Sequence, residues 1–198
     1  MTAQINDAFR YQGAEYSVAG ISDGPLLDPA WFGLTPTMAS TACHRGYRAV
    51  YALSGSHLVL DALDVKLIEN YETRQRQEGP AINEVRPTGP ERSHDMFNNH
   101  YQGLDYRLDY TGGLLLAKGF IRELYVHMGF HPAWKYEDVV ELVFEGGLLT
   151  AESDRSEKMA DIRRMILESR KSGKPDRTPN EEEIGAFVED AFDRTYRL

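Results

Sequence analysis

Short glycine-centred turns recur along this chain between segments whose polar and apolar residues alternate, and that pattern restricts it to folds rich in antiparallel hairpins. Residues 9–11 and 15–19 flank Gly13. Residues 47–53 and 57–67 flank Ser54-Gly55-Ser56. Further on, 104–110 and 113–117 flank Thr111-Gly112, and 139–144 and 148–151 flank Gly146-Gly147. A lone hairpin is not stable in water, so these pairs are expected to join into one sheet or a barrel-like sandwich.

The order of the blocks repeats. Tyr11-Gln12-Gly13 returns as Tyr101-Gln102-Gly103, Gly24-Pro25-Leu26-Leu27 as Gly112-Gly113-Leu114-Leu115, and each is followed by an aromatic segment, a Tyr-led strand and a small turn. Two related hairpin-connector-hairpin units are expected, at about 8–68 and 98–152, as a tandem duplication within a single domain spanning 1–198. The connectors differ. Asp28-Pro29 before Ala30-Trp31-Phe32 reads as a helix start, with an Asp cap and Pro at the first helical position, and 120–128 is expected to be helical.

Residues 71–99 form a polar linker with Gly79-Pro80, Arg86-Pro87 and Gly89-Pro90 opposing regular structure. The C-terminal third is expected to hold two amphipathic helices, 156–172 and 179–196. The first aligns Met159, Ile162, Met165 and Ile166, and the second Ile184, Phe187, Val188, Ala191 and Phe192. The expected class is therefore α+β: a mostly antiparallel sheet with two helices packed against it.

Composition narrows the partners. The 198 residues carry 31 acidic against 22 basic side chains, a net charge of −9. Phosphate neutralisation needs a concentrated basic surface, so nucleic acid is an unsuitable partner. The single cysteine, Cys43, excludes an internal disulfide. No apolar run approaches the length of a bilayer span and no signal-peptide pattern is visible, so a cytoplasmic protein without membrane contact is expected. A homodimer is compatible with the exposed edges of an open sheet.

The residues that invite chemistry cluster in one connector. Arg122, Glu123, Tyr125, His127, His131 and Trp134 lie within thirteen positions. Were the segment helical through His131, the two histidines would share a face and make a weak metal pair. His127 oriented by Glu123 is the alternative, an acid–base pair. The corresponding connector carries Cys43, His44, Arg45 and Tyr47. Adjacent strand residues face opposite ways, so His44 does not activate Cys43. No phosphate loop, nucleophile elbow or dinucleotide fingerprint is present, and no cofactor is expected.

The two connectors are expected to meet near the internal axis. The reading that follows is a non-enzymatic binding protein using His44, Arg45, Tyr47, Tyr125 and Trp134 to hold a protein or small-molecule ligand, a basic partner suiting the acidic chain. The alternative is a small hydrolytic or metal-dependent enzyme acting through His127 or His131 with Glu123 and Arg122.

Overall fold

Gln12 and Gly13 both adopt left-handed backbone, with φ of 48° and 76°, the conformation whose twist suits a two-residue hairpin turn. They join β1 (Ala8–Tyr11) to β2 (Ala14–Ile21). Gly55 does the same between β3 (Tyr47–Ser54) and β4 (His57–Val65). Gly146 and Gly147 serve β7 (Tyr136–Glu145) and β8 (Leu148–Asp154). The computed structural model describes residues 2–68, 76–90, 92, 94–172 and 193–197.

The hairpin expected around Thr111-Gly112 does not form. β5 (Asn99–Arg107) pairs with β4, whereas β6 (Gly112–Phe120) runs between β2 and β7. Leu108 and Tyr110 are drawn into the core instead, and the Leu108 and Gly147 amides donate to the Leu58 and Tyr110 carbonyls. This carries the chain onward from β5 instead of back along it. The second Tyr-Gln-Gly is a bulge inside β5, not a turn: Gly103 and Asp105 have φ of 67° and 43°, and the register against β4 slips between Leu60 and Ala62. The two segments that share the tripeptide are thus paired differently.

The strand order is β3-β1-β2-β6-β7-β8-β4-β5, and β3 also pairs with β4. The sheet therefore closes on itself, with β1 and β3 parallel and the other pairings antiparallel. Inward residues fill the interior: Phe9, Val18, Tyr51, Leu58, Leu60, Leu63, Tyr101, Leu114, Leu116, Leu142 and Phe144 are all buried. The enclosed space is a packed core, with bulky side chains where a ligand cavity would otherwise lie.

A second cluster lies on the outer face. Leu115, Ala117 and Val139 pack there with Met159 and, partly buried, Ile162 of α1 (Ser156–Ser172). Ser156 locks the helix start to β7, its hydroxyl accepting from the Val139 amide, while Arg163 donates to the Trp134 and Tyr136 carbonyls. Met165, expected on the buried stripe, is 67% exposed; the contact surface ends near Ile162. Most of the second expected helix, 179–196, falls outside the described residues. Within it, Arg194 and Thr195 are extended: the Ile21 amide donates to the Arg194 carbonyl, and the Tyr196 amide to that of Ile21. Tyr196 lies over Gly20 and Gly113 and donates to Glu141 at 2.8 Å. No helix among the described residues is long and apolar enough to cross a membrane.

Two of the connectors are shorter in helix than expected. Asp28 does cap, accepting from the Ala30 amide at 2.9 Å, but Gly33 ends the element after a single 3-10 turn, Pro29–Phe32. In 120–128, β6 extends to Phe120 and only Arg122–Leu124 forms a 3-10 turn. Phe120, Ile121, Leu124, Tyr125 and Met128 have helical spacing, but the pairing of Phe120 with Tyr136 carries the start of the segment into the sheet instead.

Part of the stretch between β4 and β5 is pinned by one side chain. Asn99, fully buried, accepts from the Gly79 amide and Arg76 and donates to the Gln77 carbonyl. Replacing Asn99 with alanine takes the acceptor from the buried Gly79 amide and the donor from the Gln77 carbonyl, while Arg76 keeps the Thr88 and Asn98 carbonyls, and is expected to cost about 2 kcal/mol. Urea denaturation reads this as a lowered midpoint at unchanged slope.

Candidate functional site

Residues 2–7 thread between the two connectors and tie them together. The Gln4 amide donates to the Gly129 carbonyl, its side chain donates to the Thr41 carbonyl, and its Oε1 accepts from the His44 amide. Asp7, 2% exposed, then receives the first connector, the start of β3 and the C-terminal segment. Arg45 grips its carboxylate through two bonds of 2.7 and 2.8 Å, Arg194 adds a third at 3.0 Å, and the Ala49 amide a fourth at 2.8 Å. Both guanidiniums also lie over the Phe130 ring, at 5.7 and 4.8 Å from its centroid. Burial pushes the Asp7 pKa up, but the two arginines and the Ala49 amide outweigh it and hold the carboxyl at about 2.

This buckle fixes one wall of an outer groove. The register places Val50, Ala8, Ser17, Ala117 and Val139 in one row across five neighbouring strands. The three central residues are small, and Ala8 and Ala117 are themselves buried beneath the side chains around them. At about 4.8 Å between strands, these three make a floor about 10 Å long. The groove holds about 580 Å3, within the range of small-molecule sites. Arg48 lines it from the β3 side; Phe120, His131 and Tyr136 line it from the side of β6 and β7.

Three buried polar atoms of these lining residues have no hydrogen-bond partner: Asn6 Oδ1, Arg48 Nε and His131 Nε2. His131 is 8% exposed and stacks against Phe120 at 4.7 Å. Its Nδ1 lies 3.3 Å from Lys135 Nζ. An ammonium can only donate, so Nδ1 must accept and the neutral ring carries its proton on Nε2. Burial and the Lys135 charge together hold the His131 pKa down at about 4. Two of the unpartnered atoms are therefore N–H donors, one of an imidazole and one of a guanidinium, and both are closed off from solvent. An unpaired buried polar atom costs free energy that a ligand would recover.

The pH dependence follows. An unfolded histidine takes up its proton near 6.5, the folded one only near 4. Between these values the unfolded state binds more protons, so His131 lowers stability as pH falls from 6.5 towards 4. The stabilisation from ionised Asp7 is lost lower still, from 3.8 through about 2. A thermal melt of His131→Phe is expected to lose less between pH 7 and 5 than wild type, by a few degrees.

The other candidate residues are spread around this arrangement. Arg45 is central to the buckle, and Tyr47 lies under its guanidinium at 4.6 Å. His44 is exposed, as are Arg122, Glu123 and His127. His127 and His131 do not share a helix face; they flank the half-exposed Tyr125 ring at 4.8 and 5.1 Å. Trp134 packs against the outer cluster. Cys43 is buried, which raises its thiol pKa, and donates to the Tyr47 carbonyl. Among the described residues no three His, Cys, Asp or Glu side chains are grouped to hold a metal ion.

Asn6, Asp7, Ser17, Arg48 and Ala117 were not among the sequence candidates. No local signal marks them, since Ala19 on β2 and Gly119 on β6 are small as well. No protein-family model, curated protein or solved structure matches the chain.

Proposed function

We propose that this is a non-enzymatic binding protein whose ligand is a small molecule lying in the outer groove. The observation that carries the reading is the unpartnered Nε2 of His131, nine-tenths buried, at the wall of an open groove floored by small residues. A filled interior leaves the outer face as the place for a ligand. Binding is favoured over catalysis by what His131 lacks. Its one hydrogen bond is to an ammonium, and no hydrogen bond among the described residues orients it by a carboxylate. The acidic net charge and the aromatic wall of Phe120 and Tyr136 suit recognition.

Filling the floor tests this. Ser17→Leu places a bulky side chain on the outward row while leaving the packed interior untouched. In a thermal-shift screen against a panel of small acids, amides and amines, at least one compound is expected to stabilise wild type by about 3 kcal/mol at a hundredfold excess over its dissociation constant. The same compound is expected to leave Ser17→Leu unmoved. A panel without effect on wild type, or with equal effect on both proteins, contradicts the reading.

A further inference from the structure

Where β2 runs on past the start of β1, the C-terminal segment 193–197 takes the place of β1. β1 begins at Ala8, opposite Ser17, so the backbone of Ile21 lies beyond it. The Ile21 amide donates to the Arg194 carbonyl at 2.9 Å, and its carbonyl accepts from the Tyr196 amide at 3.3 Å, a parallel bridge to Thr195. Side chains alternate as an added strand requires: Arg194 and Tyr196 are half-buried, whereas Asp193, Thr195 and Arg197 are exposed. Main-chain bonds combined with sockets for alternate side chains are the way a sheet edge receives a peptide.

Both sockets are built without this segment. Arg45 and the Ala49 amide already hold Asp7; Arg194 adds its bond to Oδ2 at 3.0 Å, its guanidinium lying over Phe130 at 4.8 Å. Glu141, 7% exposed, has its Oε2 held by Arg155 and offers Oε1 to the Tyr196 hydroxyl at 2.8 Å. The Tyr196 ring lies where Gly20 and Gly113 carry no side chain. A Cβ added at Gly20 would stand 2.8 Å from the ring Cδ1, and one at Gly113 2.0 Å from the hydroxyl oxygen. Neither glycine has left-handed backbone, so their smallness serves the close approach of the ring and not a turn. The segment does not fill its trench. Cavities of about 180 and 520 Å3 flank it, the first beside Arg194 and the second beside Tyr196.

We infer that this trench is a peptide-binding site for an extended segment with arginine and tyrosine two positions apart. The chain's own C-terminal segment occupies it, and a partner protein carrying the same motif can enter in its place. The inference stands whether or not the outer groove takes a ligand. Its chemistry sets the motif. A spacing of two puts both side chains on the inward face. A planar guanidinium can bond Asp7 and lie over Phe130 at once, and a flat ring with a hydroxyl at its far end suits a slot that closes on Glu141. A chain of net charge −9 also draws a basic segment from a distance. The tethered segment competes at high effective concentration, so a partner enters most readily where that segment is displaced.

Fluorescence anisotropy of a labelled peptide of residues 193–198 tests this on the whole chain. Arg194→Met/Tyr196→Ala, whose own segment cannot fill the sockets, is expected to bind the peptide about tenfold more tightly than wild type, or better. Exchanging Thr195 and Tyr196 within the peptide keeps its composition and charge but turns the ring to the wrong face, and should weaken binding about tenfold or more. Gly113→Ala, added to the double variant, fills the place of the hydroxyl and should weaken the original peptide by a similar factor. Tyr196→Ala alone leaves the Asp7 cluster intact and is also expected to gain binding over wild type, so the result does not hang on the folding of the double variant. No binding to either variant, equal binding of the two peptides, or binding indifferent to Gly113→Ala overturns the inference.

Discussion

Replacing Asp7 with alanine lowers the free energy of unfolding by about 3–5 kcal/mol, a large part of what a domain of this size has to lose. The carboxylate itself is not the main term. What the substitution leaves behind is two largely buried guanidiniums, Arg45 and Arg194, and a buried Ala49 amide, all deprived of their acceptor. Removing one partner of a buried pair costs more than the pair contributes over an apolar substitute. Arg194→Met is therefore expected to cost less than Asp7→Ala, because Arg45 still satisfies the carboxylate. Asp7→Ala combined with Arg194→Met should cost less than the sum of the two, and a double-mutant cycle by chemical denaturation measures that difference. Since the pair is buried, the loss should persist at high salt, unlike that of the exposed Lys118–Asp138 pair. A loss under 1 kcal/mol would show that Asp7 does not hold the two arginines.

Gly46→Ala is the second large effect, expected at about 3 kcal/mol. Gly46 lies between Arg45 and Tyr47 with φ of 74°. An added Cβ would stand 2.0 Å from the Thr37 carbonyl oxygen and 2.8 Å from its carbon. Those are backbone atoms, and they are held in place. The Thr37 amide donates to the Lys66 carbonyl, and the Lys66 amide to that of Gly46. Left-handed backbone costs about 1–2 kcal/mol for a residue with a side chain, and the collision adds ~1–3 kcal/mol more. Gly13→Ala supplies the control. Its φ is 76°, but nothing lies within 4 Å of the added atom, so only the backbone term applies and about 1 kcal/mol is expected. Equal losses for the two variants in urea titrations would mean that the Thr37 contact is not rigid.

Local signals in the sequence were read correctly where the physics is local. Gly13, Gly55 and the Gly146-Gly147 pair mark real hairpins, because a left-handed turn depends on the residues at that turn alone. Asp28-Pro29 marks a real cap for the same reason, though Gly33 stops the element after one turn. A barrel-like closure was one of two expectations, but the strand pairing that closes the sheet was not legible. It depends on β3 pairing with both β1 and β4 and on β6 inserting between β2 and β7, which are contacts between distant segments. The shared Tyr-Gln-Gly illustrates the limit. The same three residues make a turn at 11–13 and a bulge at 101–103, since the neighbouring strands differ.

The candidate site divides in the same way. His131 and Arg45 stood out as residue types in an aromatic setting. Asp7 did not, because in Asn6-Asp7-Ala8 it resembles any solvated acid; its two partners are 38 and 187 positions away. The groove floor is one residue from each of three strands, a row visible only once the register is known. Helical spacing of His127 and His131 misled for a related reason. Gly129 takes a left-handed φ of 62°, and the chain turns there instead of continuing a helix.

The most direct test of the groove is the protonation of His131 itself, read from its ring nitrogens by 15N NMR on wild type from pH 8 to pH 3.5. The geometry predicts one neutral tautomer, protonated at Nε2, persisting until about pH 4 and perturbed at pH 7 by a compound that stabilises wild type but not Ser17→Leu. An ordinary titration near pH 6.5, with both tautomers present and no response to any groove ligand, would contradict it.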